Sequence, residues 1–234
     1  MRIVLVGFGN MGKVVAKVAL EQKLTLAGIV DKSMTASPLP GVPLFPTLFD
    51  EVLKKCDVVI EFAHAQGIID RIREVSKYKV PYVIGTTDWE NKHEEAKKIV
   101  QKAKSALLVS PNFSLGVNLL YKLCDCAGAL FSPFKEYAPS LLEIHHSTKK
   151  DAPSGTAKKI AERMQTQTHK KIPITSIREG FFPGTHELTF DSIADTITIS
   201  HTARTREGFA QGALEAARWI QKKKGWFTFD DVIW

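Results

Sequence analysis

The first twelve residues constrain the fold of this chain more than any other segment. An apolar run, Arg2–Val6, leads into a loop with glycines at positions 7, 9 and 12, and a helical pattern follows over residues 13–22. In such a unit Gly7 permits the tight turn, Gly9 lets backbone amides approach a pyrophosphate, and Gly12 allows close packing of helix on strand. The loop therefore predicts a dinucleotide-binding unit, although a strand and a helix that only need glycine at their joint would show the same pattern.

A second apolar segment, residues 24–30, supports the dinucleotide interpretation. It ends at Asp31, about 20 residues beyond the glycine loop, where a carboxylate is expected to bind the ribose hydroxyls. Lys32 follows directly and is placed to pair with a 2′-phosphate. This pair predicts that both NADH and NADPH are accepted.

Further strand-like and helix-like segments alternate along the first half of the chain. Apolar runs at 58–62, 80–85 and 106–110 are separated by helical patterns at 66–78 and 89–103. This alternation predicts an α/β fold with a doubly wound parallel sheet of the Rossmann type. Ligands of such sheets lie beyond the carboxyl ends of the strands. That rule predicts the following further neighbours of the cofactor: Phe62, Gly85, Thr86, Thr87, Pro111, Asn112 and Phe113.

The segment EIHHSTKKDAPSGTA, residues 143–157, concentrates proton carriers in mid-chain. Residues 140–146 are predicted to form a strand, so His145 and His146 should point to opposite faces and cannot share one role. Either one is equally compatible with a structural histidine. Ser154 is predicted to cap a helix whose free amides at Gly155 and Thr156 form an anion site. A capped helix without a ligand is the alternative.

Composition narrows the class of protein. The net charge of +7 permits nucleic-acid binding, but the basic residues are scattered, and a phosphorylated cofactor with a carboxylate substrate explains the charge as well. The three cysteines lack metal-site spacing, which predicts reduced thiols and no metal. No apolar run approaches the roughly 20 residues that span a bilayer. We therefore expect a cytoplasmic enzyme with no membrane or nucleic-acid partner.

Segment 143–157 resembles the signature of the dihydrodipicolinate reductase (4-hydroxy-tetrahydrodipicolinate reductase) family. The resemblance extends along the whole chain. It includes the opening glycine loop, GTT at 85–87, PNFSLGVN at 111–118, IREG at 177–180, GTHE at 184–187 and FAQGA at 209–213.

The resemblance implies a reaction in diaminopimelate and lysine biosynthesis. The cyclic dicarboxylate (2S,4S)-4-hydroxy-2,3,4,5-tetrahydrodipicolinate is reduced by NAD(P)H to (S)-2,3,4,5-tetrahydrodipicolinate with loss of water. Carried onto this chain, His145 is the proton donor and acceptor and Lys149 the proton-donating lysine. Substrate binding falls on His146, Ser154, Gly155 and Thr156. Cofactor binding falls on Gly7, Phe8, Gly9, Asn10, Met11, Gly12, Asp31, Lys32 and Arg206, together with the strand-end residues named above.

Three departures from the family pattern surround the cofactor. The family loop is one residue longer and ends in Gly-Arg-Met-Gly, whereas this chain has Asn10 in place of the arginine. The family's Asp-Phe-Thr is Glu61-Phe62-Ala63 here, and its Gly-Thr-Thr-Gly ends in Asp88. The preference between NADH and NADPH therefore stays open.

The resemblance also implies two domains and a homotetramer. Residues 1–112, with 207–234 returning to them, would bind the dinucleotide. Residues 113–206 would form a second α+β domain with an open mixed β-sheet for substrate binding and oligomerisation. Two other classes of protein are alternatives. The first is another Rossmann oxidoreductase, and the second is a non-enzymatic nucleotide sensor or basic nucleic-acid binder. The first leaves HHSTKKDAPSGT without a role, and the second leaves the clustered proton carriers unexplained.

Overall fold

The computed structural model describes residues 1–233 and divides them into two compact units. Unit 1 comprises Met1–Ser114 and the segment from Arg206 onward, and unit 2 comprises Leu115–Thr205. Trp234, the last residue of the segment predicted to return, lies outside the described residues. Within residues 1–233, none of the helices combines the length and the apolar character that a membrane crossing requires.

Unit 1 is built on a seven-stranded sheet in which all strand pairs are parallel. The strand order β11-β6-β5-β4-β1-β2-β3 confirms the predicted Rossmann-type architecture. The strands are β1 (Arg2–Val6), β2 (Thr25–Val30), β3 (Leu44–Phe45), β4 (Val58–Glu61), β5 (Tyr82–Ile84), β6 (Ala106–Val109) and β11 (Gly225–Thr228). The helices are α1 (Asn10–Glu21), α2 (Asp50–Lys54), α3 (Ile68–Lys77), α4 (His93–Ala103) and α7 (Glu207–Trp219).

The central strands of unit 1 are apolar because both of their faces are covered. Every residue of β4, β5 and β6 is buried, as expected for a parallel sheet between helical layers. Each helix presents one apolar stripe to the sheet. In α3, for example, Ile68, Ile72 and Val75 are buried, while Asp70, Arg73 and Lys77 are exposed.

Two parts of unit 1 differ from the sequence-based expectation. The short elements β3 and α2 were not predicted, since two residues and five residues are too few to show a period. Residues 207–234 were expected to return to the first domain, but no strand was predicted among them. Phe229 packs in the core, and the preceding residues form the edge strand β11, which pairs with β6.

Unit 2 confirms the predicted α+β class with a mixed sheet. Its strands are β7 (Ala138–His145), β8 (Ile174–Arg178), β9 (Thr185–Asp191) and β10 (Thr196–Thr202), and its helices are α5 (Leu115–Phe131) and α6 (Gly155–Thr168). The order is β10-β9-β7-β8, with β7 and β8 parallel and the other pairs antiparallel.

The core of unit 2 lies between the two helices and one face of the sheet. Alternate residues point into it, among them Leu141 on β7 and Leu188 on β9, where they meet Ile160 of α6. On the opposite face, side chains such as Ile177 and Thr198 are exposed. This uncovered face is a candidate surface for contact with further chains.

Candidate active site

The glycine loop of unit 1 fits a dinucleotide diphosphate. Gly7 has a φ of +86°, a conformation that favours glycine, and a Cβ on Gly12 would overlap the carbonyl oxygen of Gly7. At Gly9 an added Cβ would meet nothing within 4 Å. Gly9 also precedes the first residue of α1, and no side chain caps the helix there. No side chain competes for the free amides at this end of α1, so they are available to an anion.

Asp31 is fixed at the carboxyl end of β2. Its Oδ2 accepts a hydrogen bond from the backbone N–H of Phe8 at 2.8 Å, and its Oδ1 accepts from the N–H and hydroxyl of Ser33 at 2.9 and 2.6 Å. Burial alone would raise the pKa of Asp31, but the bonds from Ser33 and Phe8 outweigh it and lower the pKa. The carboxylate is therefore charged and oriented beside the glycine loop. Lys32 is exposed next to it.

A buried ion pair shapes the loop that follows β4. Glu61 is fully buried, and Arg71 donates to its Oε1 and Oε2 at 2.7 and 2.9 Å. The hydroxyls of Tyr82 and Thr86 donate to the same carboxylate. Arg71 also donates to the carbonyl oxygens of His64 and Gln66, both at 2.7 Å. Glu61, which departs from the family pattern, therefore fixes Arg71, and Arg71 in turn holds the backbone at His64 and Gln66.

Some of the predicted cofactor neighbours contact one another in the structure, and others are exposed on the surface of unit 1. The Phe62 ring packs against Gly85 and meets the Phe113 ring at 5.7 Å. The Thr86 hydroxyl points inward to Glu61, so only its backbone is left for a ligand. Asp88 has a φ of +65°, which explains why the family pattern has glycine there. Thr87, Pro111 and Arg206 are exposed, Asn112 and Met11 are half-buried, and Phe8 and Phe113 are buried.

His145 ends β7 and lies in the interior of unit 2. Its Nε2 is 3.3 Å from Glu143 Oε2, and its ring meets the His186 ring edge-on at 5.2 Å. Gly184 packs against the ring, where a Cβ would come within 2.9 Å of it. Burial lowers the pKa of His145, and the opposing effect of Glu143 does not restore it. His145 is therefore neutral near pH 7.

Glu143 is the fully buried centre of this region. Its Oε1 accepts from the Ser154 N–H at 3.0 Å, the Ser176 hydroxyl at 2.6 Å and Arg178 Nη2 at 2.7 Å. Burial alone would raise the pKa of Glu143, but these bonds lower it to about 2. Burial likewise lowers the pKa of His186 to about 4, and the nearby His145 adds to that effect.

The segment between β7 and α6 carries the other predicted residues. Lys149 Nζ is 2.6 Å from Asp151 Oδ1, and His146 Nδ1 is 2.7 Å from the Thr148 hydroxyl. The Ser154 hydroxyl accepts from the Ala157 N–H at 3.1 Å, which confirms the predicted helix cap. Gly155 and Thr156 form the first turn of α6, and a Cβ on Gly155 would meet nothing within 4 Å.

Two details of this segment differ from the expectation. The strand ends at His145, so His146 diverges because the chain leaves the strand and not because side chains alternate within it. No role was predicted from the sequence for Glu143, Ser176, Arg178 or His186. Glu143 and His145 share a face of β7 by alternation, which was the available signal. The other three lie on β8 and β9, and only the sheet register brings them to this place.

Glu143, His145 and His186 form a group that we call the Glu–His cluster. One ligand atom from each lies within 4.8 Å of the other two, a spacing that a metal ion can use. However, Glu143 already forms an ion pair with Arg178, whose Nη2 is 2.7 Å from Glu143 Oε1. The guanidinium supplies the positive charge that the buried carboxylate requires, so the geometry does not demand a metal.

Comparison with known proteins identifies the family of the chain. Residues 1–113 match the family described as dihydrodipicolinate reductase, N-terminus, and residues 116–233 match dihydrodipicolinate reductase, C-terminus. The chain belongs to the dihydrodipicolinate reductase family. The predicted family, enzyme class and reaction are thereby confirmed. This reductase is an NAD(P)H-dependent oxidoreductase of diaminopimelate and lysine biosynthesis, and it acts on 4-hydroxy-tetrahydrodipicolinate.

Relatives of this reductase match it over nearly their full length. Proteins named 4-hydroxy-tetrahydrodipicolinate reductase from Christiangramia forsetii and Aquifex aeolicus are 33% and 34% identical, and each alignment covers 100% of this chain and 98% of the relative. The protein of that name from Caldanaerobacter subterraneus is 36% identical over 96% of this chain and 94% of its own.

Solved structures share the fold of this reductase. The dipicolinate-bound dihydrodipicolinate reductase from Paenisporosarcina superimposes with a TM-score of 0.84 at 23% identity, covering 97% of both chains. A Corynebacterium glutamicum diaminopimelate dehydrogenase reaches a TM-score of 0.58 at 15% identity, covering 99% of this chain and 93% of its own.

Proposed function

We propose that His145 and Lys149 carry the proton chemistry of this reductase. The observation that supports this most is their setting in unit 2. A buried neutral imidazole, a lysine ammonium and the open first turn of α6 all belong to one short segment around Glu143. Proton carriers next to an anion site suit a dicarboxylate that is protonated during its reduction.

Substrate binding is assigned to the start of α6 and to His146. The N–H groups of Gly155 and Thr156 lack helical partners and attract a carboxylate, and Ser154 fixes their direction by capping the helix. The solved relative from Paenisporosarcina is described as dipicolinate-bound, and dipicolinate is likewise a cyclic dicarboxylate. That description supports the assignment.

When bound, the nicotinamide cofactor supplies the hydride that is transferred to ring carbon 4 of the substrate. The substrate first loses its 4-hydroxyl as water, which creates a conjugated ring, and hydride addition to that ring leaves negative charge on the neighbouring carbon and nitrogen. The Lys149 ammonium stabilises this charge and donates a proton from Nζ. Neutral His145 accepts or returns a proton at a ring nitrogen, while Glu143 balances the charge of its protonated form.

We assign the cofactor to residues 1–112 and 207–234, and the substrate and subunit contacts to residues 113–206. Within the first group, the glycine loop binds the diphosphate and Asp31 the adenosine ribose. Lys32 is available for a 2′-phosphate, so both NADH and NADPH are used. The remaining cofactor contacts proposed are Phe62, Gly85, Thr86, Thr87, Pro111 and Asn112, together with Phe113 and Arg206, the two end residues of the second group.

A homotetramer is proposed from the uncovered face of the unit 2 sheet, where Ile177 and Thr198 are exposed. Light scattering during gel filtration tests it, and a particle mass of four times 26.0 kDa is expected. A single-chain mass at micromolar concentration would contradict this assignment. A cytoplasmic location is proposed because NADH and NADPH are available there and because the three cysteines are unpaired.

The reaction is tested by following NADH or NADPH oxidation at 340 nm with freshly made dihydrodipicolinate synthase product. Lys149→Ala is expected to lower kcat by about 10²- to 10⁴-fold, the usual contribution of a general acid. Lys150→Ala is the matched control, because Lys150 is adjacent and exposed, and it should stay within twofold. A folded Lys149→Ala protein with nearly normal kcat would remove Lys149 from the mechanism.

The cofactor assignment is tested by comparing kcat/KM for NADH and NADPH. Lys32→Ala is expected to lower kcat/KM for NADPH by about tenfold, the loss of one surface charge pair with a phosphate, and to leave NADH unchanged. Lys98→Ala, which removes an exposed lysine from α4, serves as control. An equal loss with both cofactors would refute a contact with the 2′-phosphate.

A further inference from the structure

Arg178 links the buried carboxylate of unit 2 to the segment that carries Lys149. Its Nη2 donates to Glu143 Oε1 at 2.7 Å and to the backbone carbonyl of Asp151 at 2.5 Å. Its Nη1 donates to the backbone carbonyl of Ile177 at 2.8 Å. One guanidinium therefore joins β7, β8 and the β7–α6 segment.

The backbone around Arg178 secures the other end of the same segment. The N–H of Glu179 donates to the carbonyl of His145 at 2.9 Å, and the N–H of Ser147 donates to the carbonyl of Gly180 at 3.2 Å. The segment is thus attached to the end of β8 at residues 145–147 and again at Asp151. Lys149 lies between the two attachments, and its Nζ is 2.6 Å from Asp151 Oδ1.

We propose that Arg178 is a positioning residue that places Lys149 for proton donation. This inference rests on the proposed function, since it takes Lys149 as the acid. Glu143 holds the guanidinium in place, and the guanidinium fixes the backbone at Asp151, two residues beyond Lys149. A guanidinium suits this role because its planar fork carries several donors in fixed directions, whereas an ammonium is a single point charge.

A purely structural role makes a different prediction. If Arg178 only neutralised buried Glu143, a lysine at 178 would supply the same charge and the folded protein would react at the normal rate. If Arg178 positions Lys149, the lysine loses the bond to the Asp151 carbonyl, and the acid moves relative to the substrate. A displacement of about 1 Å can cost about 10²-fold in rate.

The test compares Arg178→Lys with Arg163→Lys. Arg163 is a matched control in the same unit, because its side chain is 15% exposed against 16% for Arg178 and it pairs with Asp125 through two bonds at 2.5 and 2.9 Å. We expect Arg178→Lys to lower kcat by about 10- to 100-fold with the KM for the cofactor within twofold. Arg163→Lys should leave kcat within twofold. Equal kcat values for the two variants would overturn the proposal.

A double-mutant cycle separates this inference from the proposed function. If Arg178 acts through Lys149, then adding Arg178→Lys to Lys149→Ala should lower kcat by less than threefold. A further tenfold loss in the double variant would overturn the positioning role. A normal rate in Lys149→Ala alone would instead refute the acid assignment.

Ser176→Ala is the control for a loss of stability without a loss of positioning. It removes one donor from Glu143 but leaves the three bonds of Arg178 in place, so it should lower Tm but reduce kcat far less than Arg178→Lys does. If Arg178→Lys does not fold, Arg178→Gln replaces it with the same expected loss of kcat. A normal kcat in the folded glutamine variant would overturn the proposal.

Discussion

Substitution of His186 should flatten the dependence of stability on pH. The imidazole projects from β9 and is buried beside Glu143 and His145 of β7, and its pKa is lowered from 6.5 to about 4, mainly by burial. In the unfolded chain the same group binds a proton near its ordinary value. Between these two values the unfolded state therefore binds more protons than the folded state. Stability from His186 is complete above pH 6.5 and is lost as the pH falls towards 4.

The size of the effect follows from the shift. One unit of pKa corresponds to about 1.4 kcal/mol, so the lowering to about 4 represents about 3 kcal/mol over the whole window. Between pH 7 and pH 5 the loss from this one group is about 2 kcal/mol. His186→Gln should remove that part of the slope, because a glutamine amide does not titrate there.

The assay is urea unfolding followed by circular dichroism at pH 7 and pH 5, at one protein concentration. The observable is the change in unfolding free energy between the two pH values, which is expected to be about 2 kcal/mol smaller in His186→Gln than in the parent. His169→Asn, at an exposed position after α6, should retain the parental slope. A variant slope equal to that of the parent would show that buried neutral His186 is not a source of acid sensitivity.

Three further outcomes test other parts of the structure. Gly9→Ala should keep the parental Tm but weaken NADH binding at least tenfold in a fluorescence titration, whereas Gly12→Ala should not fold. Normal NADH binding by Gly9→Ala would show that the diphosphate does not bind at this glycine. Tyr82→Phe should cost about 1.5–3 kcal/mol of unfolding free energy, because it removes a buried hydrogen bond to charged Glu61. Tyr78→Phe, which removes a hydroxyl outside this network, should cost less, and equal costs would argue against a buried network. EDTA should leave kcat unchanged, and a tenfold loss restored by Zn²⁺ would assign a metal to the Glu–His cluster.

The sequence predicted unit 1 well because its signals are local. Each buried parallel strand is a short apolar run, and each covering helix has its own apolar stripe. Unit 2 was harder to predict from the sequence. β8 contributes polar residues such as Thr175 and Ser176 at the sheet edge, so its alternation is weak and no strand was predicted there.

In the candidate site, too, the local features could be predicted and the contacts between distant residues could not. His145, Lys149 and the α6 cap lie within one segment, and their proximity follows from chain connectivity. Glu143 and Arg178 are 35 residues apart and meet only because β7 and β8 pair in a specific register. No local period carries that information. The electrostatic setting of the predicted histidine was therefore hidden until the strands were paired.

The C-terminal segment has a consequence for the order in which the protein is made. α7 packs against the N-terminal half, where Lys17 pairs with Glu207 at 2.7 Å, and β11 adds the last strand beside β6. Residues 115–205, the whole of unit 2, leave the ribosome before either element. The half that is synthesised first thus remains without this helix and edge strand until residues 207–228 have been made, and a nascent chain stopped near residue 205 would expose the apolar surface that Ala213, Leu214 and Ala217 later cover.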